Sequence, residues 1–193
     1  KKSLLTSIFC LFNLMLFAQE KPKQITLFTN VQVFDGTSDK LIKADVLVEG
    51  NLIKQISKEP LMVAQTDNVT IIDGGGKTLM PGLIDAHWHT MFNFWPVSKF
   101  INSDFGLLSI AASQAATETL MRGFTTTRDV GGNCFPVYDA INSGMTAGPR
   151  IYPSGAYISQ TSGHGDFRGP LDTPENPGMP LDYQQRIGNT IIA

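Results

Sequence analysis

Residues 81–90, with the sequence PGLIDAHWHT, combine a turn, a β-strand pattern and two closely spaced histidines. The Pro-Gly pair is a turn signal, and the apolar residues behind it predict a short strand. Side chains alternate along a strand, so we expect Asp85, His87 and His89 on one face. Two imidazoles on one side of a strand can bind the same cation, and histidine is a common ligand of zinc-like metals. The stretch therefore predicts a strand with two metal ligands.

A His-x-His pair alone is also compatible with two surface histidines on a strand, so the downstream sequence has to decide. The chain has three histidines, and two of them lie in this pair. A strand-helix alternation follows, with a helix over 105–122, a strand within 124–132, a short helix over 136–143 and a strand within 149–159. Alternation of this kind is typical of parallel βαβ units, and active sites in (β/α)₈ barrels lie at the carboxyl ends of the strands. The position of the histidines therefore favours a metal site over a surface pair.

The segment before the histidine motif has a different pattern. Residues 25–36 predict a strand that ends in a turn, residues 44–58 predict a hairpin around Glu49-Gly50-Asn51, and residues 69–82 predict a further short strand. Short antiparallel strands with frequent turns indicate a small β-sandwich module.

The first eighteen residues resemble neither segment. Lys1 and Lys2 precede an uncharged run over 4–18 that is followed directly by polar residues. The run has about fifteen residues, fewer than the roughly 20 that span a bilayer. This arrangement is typical of a secretory signal peptide over 1–18, and a buried N-terminal helix is the alternative. We therefore expect an exported protein, periplasmic or extracellular, with no stable membrane span once the signal is removed.

Charge and cysteine content exclude some classes of protein. The formal net charge is −2, and no basic run interleaved with aromatic residues occurs, so nucleic acid is not an expected partner. Removal of 1–18 leaves Cys134 as a single cysteine, which excludes an internal disulfide. We interpret Cys134 as a small partly buried residue rather than a nucleophile.

Three stretches resemble a known family. MPGLIDAHWHT over 80–90 resembles the first-strand motif of the amidohydrolase superfamily, in which a Pro-Gly turn leaves a small β-sandwich and enters a barrel. MRGFTTTRDVGG over 121–132 and GPRIYPSGAYISQTSGHGD over 148–166 are similar to the imidazolonepropionase-like branch, which includes Xaa-Pro dipeptidases. The resemblance covers residues 25–193.

The resemblance implies an α/β fold in two parts. Residues 19–80 would form the N-terminal part of a composite β-sandwich domain, and residues 81–193 the first three βα units of a metal-dependent hydrolase (β/α)₈ barrel. A whole barrel takes about 250 residues, so we expect a truncated barrel and an N-terminal fragment that is inactive alone.

The resemblance also assigns roles within the site. His87 and His89 match the first two metal ligands, and Asp85 matches an acidic residue that supports them. The metal would be divalent, zinc in our prediction, with one or two ions bound. The bridging lysine or glutamate, two later histidines and the aspartate that acts as general acid and base have no match in this sequence.

Two further places could contact substrate. His164 lies between glycines after the third strand, where a substrate contact and an exposed loop histidine are both open interpretations. Arg128 and Asp129 end the second strand, and they could contact substrate or form structural pairs.

The function that follows is hydrolysis of a C–N bond in an amide, dipeptide or cyclic amide by metal-activated water. The predicted export favours a dipeptide substrate. A deaminase of the same superfamily and a non-catalytic metal-binding remnant are the alternatives. The expected partner is a small molecule or dipeptide, and the sequence predicts no oligomeric state.

Overall fold

The computed structural model describes residues 23–101, 103–156, 158–165 and 191–192. The chain divides into two compact units between Pro81 and Gly82, one residue after the predicted boundary. The predicted signal peptide lies outside the described residues. Among the described helices, none has the length and apolar character to cross a membrane.

The first unit is a single mixed β-sheet. Its strands are β1 (Ile25–Val33), β2 (Ile42–Glu49), β3 (Leu52–Ser57), β4 (Val69–Asp73) and β5 (Thr78–Leu79). The sheet order is β3-β2-β1-β4, and β5 also pairs with β1. A buried cluster of the sheet contains Val31, Val33, Ala44 and Val46. The β2–β3 pair is the predicted hairpin, and its turn lies at Gly50 and Asn51 as expected.

The prediction that all these strands are antiparallel was wrong. Strand β4 pairs parallel with β1, with Ile25 opposite Val69, and β5 also pairs parallel with β1. The reason is that the connection after β3 carries the chain back to the starting end of β1 before β4 begins. The described residues of this unit form one sheet, so a second sandwich layer is not among them.

The second unit alternates strands and helices. Its elements are β6 (Leu83–Trp88), α1 (Val97–Ile101), α2 (Phe105–Met121), β7 (Phe124–Asp129), α3 (Phe135–Asn142), β8 (Arg150–Pro153), β9 (Ile158–Ser159) and β10 (Ile191–Ile192). Strands β6, β7 and β8 form a parallel sheet in that order. This arrangement confirms the predicted α/β alternation.

Helix α2 covers the sheet and has clear local reasons for its bounds. Asp104 caps its start by accepting a hydrogen bond from the Leu107 backbone N at 3.1 Å. Gly123 ends the helix with a φ of 96°, a conformation that glycine adopts without strain. The helix buries Leu108 fully in a core that also contains Val137 of α3 and Ile151 of β8. This packing holds the three parallel strands in place.

Three features differ from the sequence prediction. The predicted third strand is two strands, because β8 ends at Pro153 and Gly155 turns the chain with a φ of 81°. Helix α1 was not predicted. The strand at Ile191–Ile192, which pairs parallel with β9, was not predicted either, although β-branched isoleucines suit it.

Candidate metal centre

The two histidines of the sequence motif lie together at the carboxyl end of the parallel sheet. His87 is near the end of β6, and His89 follows the strand directly. Their ring centroids are 5.4 Å apart, with an angle of 75° between the ring planes. The His87 side chain is exposed and that of His89 is half-buried. The two imidazole rings therefore lie next to each other at the carboxyl end of β6.

The ring of His89 is oriented by its neighbours. Its Nδ1 lies 3.1 Å from the backbone oxygen of Gly131, which follows β7. Its face stacks on Phe92, with centroids 4.5 Å apart and an interplanar angle of 24°. A carbonyl oxygen accepts only, so Nδ1 holds the proton in this contact, and the lone pair of the neutral ring lies on Nε2. Metal-binding histidines in proteins have this kind of contact at the nitrogen that does not bind the metal.

Asp85 contacts the backbone of the histidine motif. The pairing of β6 with β7 shifts register between Asp85 and Trp88, so the ladder is irregular beside this residue. Its Oδ1 accepts a hydrogen bond from the His87 backbone N at 3.0 Å. Asp85 therefore contacts the backbone of the first histidine rather than its ring.

The described residues supply only part of a metal site. Within the described ranges, histidine, cysteine and carboxylate side chains form no cluster of three or more that could bind a metal. A catalytic zinc ion usually takes three protein ligands. The two imidazoles fit two of these positions, and the described residues do not supply the third.

The environment of Asp129 favours the structural one of its two interpretations over the substrate contact. Its side chain is fully buried. Oδ2 accepts a hydrogen bond from the Thr90 backbone N at 2.7 Å, and Oδ1 accepts one from the Gly131 backbone N at 3.1 Å. The prediction of a substrate contact overlooked the turn that follows, because an aspartate often bonds the backbone N–H two residues on. The Asp-Val-Gly order over 129–131 is the signal that could have indicated this role.

Arg128 has the opposite environment. The side chain is exposed, and its Nε donates to the Ala86 backbone oxygen at 2.7 Å. Tyr152 lies beside it in register on β8 and is 56% exposed. Both residues line a cavity of about 380 Å³ at the carboxyl ends of β7 and β8. The structure thus brings together a cation and a phenol at the end of the sheet where the histidines lie.

His164 follows β9 in the sequence. It is exposed in a turn over 161–165, and it is not among the residues that line the Arg128 cavity. Its predicted substrate contact therefore stays a prediction.

Cys134 is fully buried in the core, more deeply than the partly buried position that was predicted. Burial raises the pKa of its thiol to about 12, and the negative charge of Asp129 and a hydrogen bond to that carboxyl add to the effect. A thiol with such a pKa stays protonated near neutral pH and is a poor nucleophile.

Comparison with known proteins identifies the family. A model of the amidohydrolase family matches residues 78–186. This range contains the histidine motif and the parallel strands β6 to β8. The chain belongs to the amidohydrolase family, as the sequence motifs predicted.

Individual relatives cover much of this chain but only part of their own length. An ochratoxinase of Aspergillus niger is 30% identical over 160 residues, which are 79% of this chain and 32% of that protein. A 5'-deoxyadenosine deaminase of Methanococcus vannielii is 47% identical over 47 residues, which are 24% of this chain and 11% of that protein. The chain therefore spans about a third of the length of the ochratoxinase, and its match covers a smaller part of the deaminase.

Solved structures give the same picture. A prolidase in complex with N-methylphosphonate-L-proline is 31% identical, with a TM-score of 0.73 over 88% of this chain and 40% of that chain. A Xaa-Pro dipeptidase with bound methionine is also 31% identical, with a TM-score of 0.64 over 79% of this chain and 38% of that chain. The structural neighbours thus include Xaa-Pro dipeptidase-like proteins, in agreement with the predicted branch.

Proposed function

We propose that this chain contains the first metal ligands of a hydrolase that cleaves C–N bonds in dipeptides. The observation that supports this most is the geometry of His87 and His89. Their rings are 5.4 Å apart, and Nδ1 of His89 contacts the Gly131 carbonyl oxygen. An imidazole with its proton fixed in this way is prepared to bind a metal through Nε2.

The proposed architecture is a composite β-sandwich followed by the first three βα units of a (β/α)₈ barrel. The parallel order β6-β7-β8, covered by α2 and α3, supports the barrel assignment. The carboxyl ends of these strands are where such a barrel has its active site. The five-stranded sheet of the first unit would be one layer of the sandwich.

In the proposed site, His87 and His89 would hold one or two divalent ions, with zinc as the first candidate. A bound ion of this type polarises a carbonyl group and activates water. Asp85 supports the ligands by accepting the hydrogen bond from the His87 backbone N. We assign no general acid or base among the described residues.

Arg128 favours a substrate with a free carboxylate. Its Nε is occupied by the Ala86 oxygen, and the described carboxylates form no ion pair with its guanidinium. Guanidinium groups bind carboxylates through charge-assisted hydrogen bonds, and the phenol of Tyr152 beside it can donate another. A dipeptide has such a carboxylate next to its scissile amide. The similarity to a prolidase and a Xaa-Pro dipeptidase supports the same substrate class.

The second candidate function is deamination. The match to a 5'-deoxyadenosine deaminase, at 47% identity over 47 residues, favours this alternative. The same pair of histidines would serve, but the leaving group would be ammonia rather than an amino acid. A non-catalytic protein that binds metal is the third possibility.

We further propose that the protein is exported. The support is the sequence of residues 1–18, with two lysines before an uncharged run. Cell fractionation with an antibody against the protein tests this, and recovery from the cytosol alone would contradict it.

The activity test uses the protein expressed from its natural coding frame and loaded with zinc. We expect it to release amino acids from dipeptides, and we expect His87→Ala to abolish that release. Release of ammonia from adenosine analogues, without cleavage of dipeptides, would replace the proposal by the deaminase. Turnover of imidazolonepropionate without cleavage of dipeptides would exclude the dipeptide substrate. Metal binding without any of these reactions would indicate the non-catalytic alternative.

A further inference from the structure

We infer that Asp129 is a positioning residue, which holds His89 in its metal-binding orientation by connecting the segments that follow β6 and β7. The inference rests on the proposed metal-binding function of His89. The carboxylate of Asp129 is fully buried and is bonded to two backbone N–H groups. Its effect on the histidine passes through Thr90 and Gly131.

The two hydrogen bonds of Asp129 fix His89 from both sides. The Thr90 N–H, bound to Oδ2 at 2.7 Å, belongs to the peptide group that follows His89. The Gly131 N–H is bound to Oδ1 at 3.1 Å, and the carbonyl oxygen of the same glycine contacts His89 Nδ1 at 3.1 Å. One carboxylate therefore fixes both the backbone of the histidine and the group that orients its ring.

The segment after β7 packs closely against the segment that contains His89. The Val130 backbone N donates to the Trp88 oxygen at 3.0 Å, which continues the pairing of the two strands up to His89. Gly132 has a φ of 116°, and a Cβ there would lie 3.1 Å from the Phe92 ring on which His89 stacks. A displacement of this segment would therefore move both surfaces that hold the imidazole.

The charge of Asp129 explains why an aspartate suits this position. A buried carboxylate is stable only when hydrogen bonds replace its lost water. Two backbone N–H groups supply hydrogen bonds to the carboxylate. The Cys134 thiol supplies another, because burial and the nearby carboxyl raise its pKa and keep it protonated. Asparagine has one acceptor oxygen, so its NH₂ group would face one of the two backbone N–H groups. That conflict would displace either Thr90 or Gly131.

The test compares Asp129→Asn with Asp139→Asn in the protein expressed from its natural coding frame. Asp139 is an exposed carboxylate on α3, so its substitution is a matched loss of charge away from the site. Zinc affinity is measured by competition with a chelator, and circular dichroism reports whether each variant folds. We expect Asp129→Asn to weaken zinc binding by about 10–100-fold, the usual effect of losing such a supporting contact. Asp139→Asn should bind zinc like the natural protein. An Asp129→Asn variant that folds and binds zinc with unchanged affinity would overturn the inference.

A second measurement does not depend on the variant folding. The ¹⁵N and ¹H shifts of the His89 ring in the metal-free natural protein report which nitrogen holds the proton. We expect the proton on Nδ1, and a proton on Nε2 instead would overturn the inference. Failure of the proposed function is a separate result, because dipeptide cleavage is not measured in either experiment. A protein that cleaves no dipeptide but shows Nδ1 protonation and a zinc affinity that depends on Asp129 would retain the inference alone.

Discussion

Arg128 Nε donates a hydrogen bond of 2.7 Å to the backbone oxygen of Ala86, which directly precedes the metal-ligand candidate His87. A cationic side chain on β7 is therefore attached to the strand of the first histidine. The attachment uses Nε, and this hydrogen bond does not use the terminal guanidinium nitrogens. A substrate carboxylate bound there would lie beside the metal ligands, at a separation set by the spacing of two neighbouring strands.

Replacement of Arg128 by glutamine should weaken the binding of dipeptides. Hydrogen bonds to a charged group contribute about 1.5–3 kcal/mol, so we expect KM to rise about 10–100-fold while kcat changes less. Steady-state kinetics of the protein from its natural coding frame measures both constants. Arg150→Gln is the control, because Arg150 is an exposed arginine at the opposite end of β8. A dipeptide amide, which lacks the carboxylate, should show little effect of Arg128→Gln, and an equal effect on both substrates would exclude the carboxylate contact.

Removal of either histidine ring should reduce metal binding. His87→Ala and His89→Ala each delete one imidazole of the pair whose rings are 5.4 Å apart. We expect zinc affinity to fall by more than the roughly 10–100-fold that loss of an outer contact costs. Metal analysis after dialysis measures the zinc retained. His164→Ala should retain zinc, since His164 is exposed in a separate turn. If all three variants retain equal zinc, the pair is not the metal site.

The fold of the second unit was predictable because its signals are local. Apolar strands, an Ala-rich helix and Gly123 with its φ of 96° all lie next to the residues that they affect. The parallel pairing of β4 with β1 was not predictable in this way. It joins Val69 to Ile25 across 44 positions of sequence, and neither strand encodes which neighbour it will pair with.

In the candidate site, too, the features with local sequence signals were predictable and the long-range contacts were not. His87 and His89 were found from their spacing on one strand. The contact of His89 with Gly131 spans 42 positions and involves a backbone oxygen, so no residue type indicates it. The role of Asp129 stayed open between two interpretations, because the sequence shows a carboxylate at a strand end but not that it is fully buried. Burial depends on how the segment after β6 covers the end of β7, and only the tertiary structure contains that information.

Cys134 should make the native state less stable in alkali. Burial and the charge of Asp129 raise the pKa of its thiol from 9.0 to about 12. The unfolded chain releases the thiol proton first, so the stabilising effect is complete below about pH 9 and is lost as pH rises toward about 12. The slope from one such group is at most about 1.4 kcal/mol per pH unit. Urea unfolding between these pH values, compared with Cys134→Ala, isolates the contribution. An identical alkaline slope in both proteins would contradict the raised pKa.

Leu108 should be much more important for stability than its neighbour Leu107, although both lie on α2. Leu108 is fully buried among residues of α2, α3 and β8, whereas the Leu107 side chain is 50% exposed. Truncation of a buried leucine removes transferred apolar surface and leaves a cavity, which costs about 2–5 kcal/mol. We expect Leu108→Ala to lower the free energy of unfolding by that amount. Leu107→Ala should lower it by less than about 1 kcal/mol, because half of the Leu107 side chain is already exposed to solvent. Urea denaturation followed by tryptophan fluorescence measures both, and Trp88 and Trp95 lie in the same unit as the substitutions.

Val46→Ala, in the core of the other unit, should leave this fluorescence transition in place if the two units unfold separately. Equal destabilisation by Leu107→Ala and Leu108→Ala would show that α2 does not pack on the sheet through the face described.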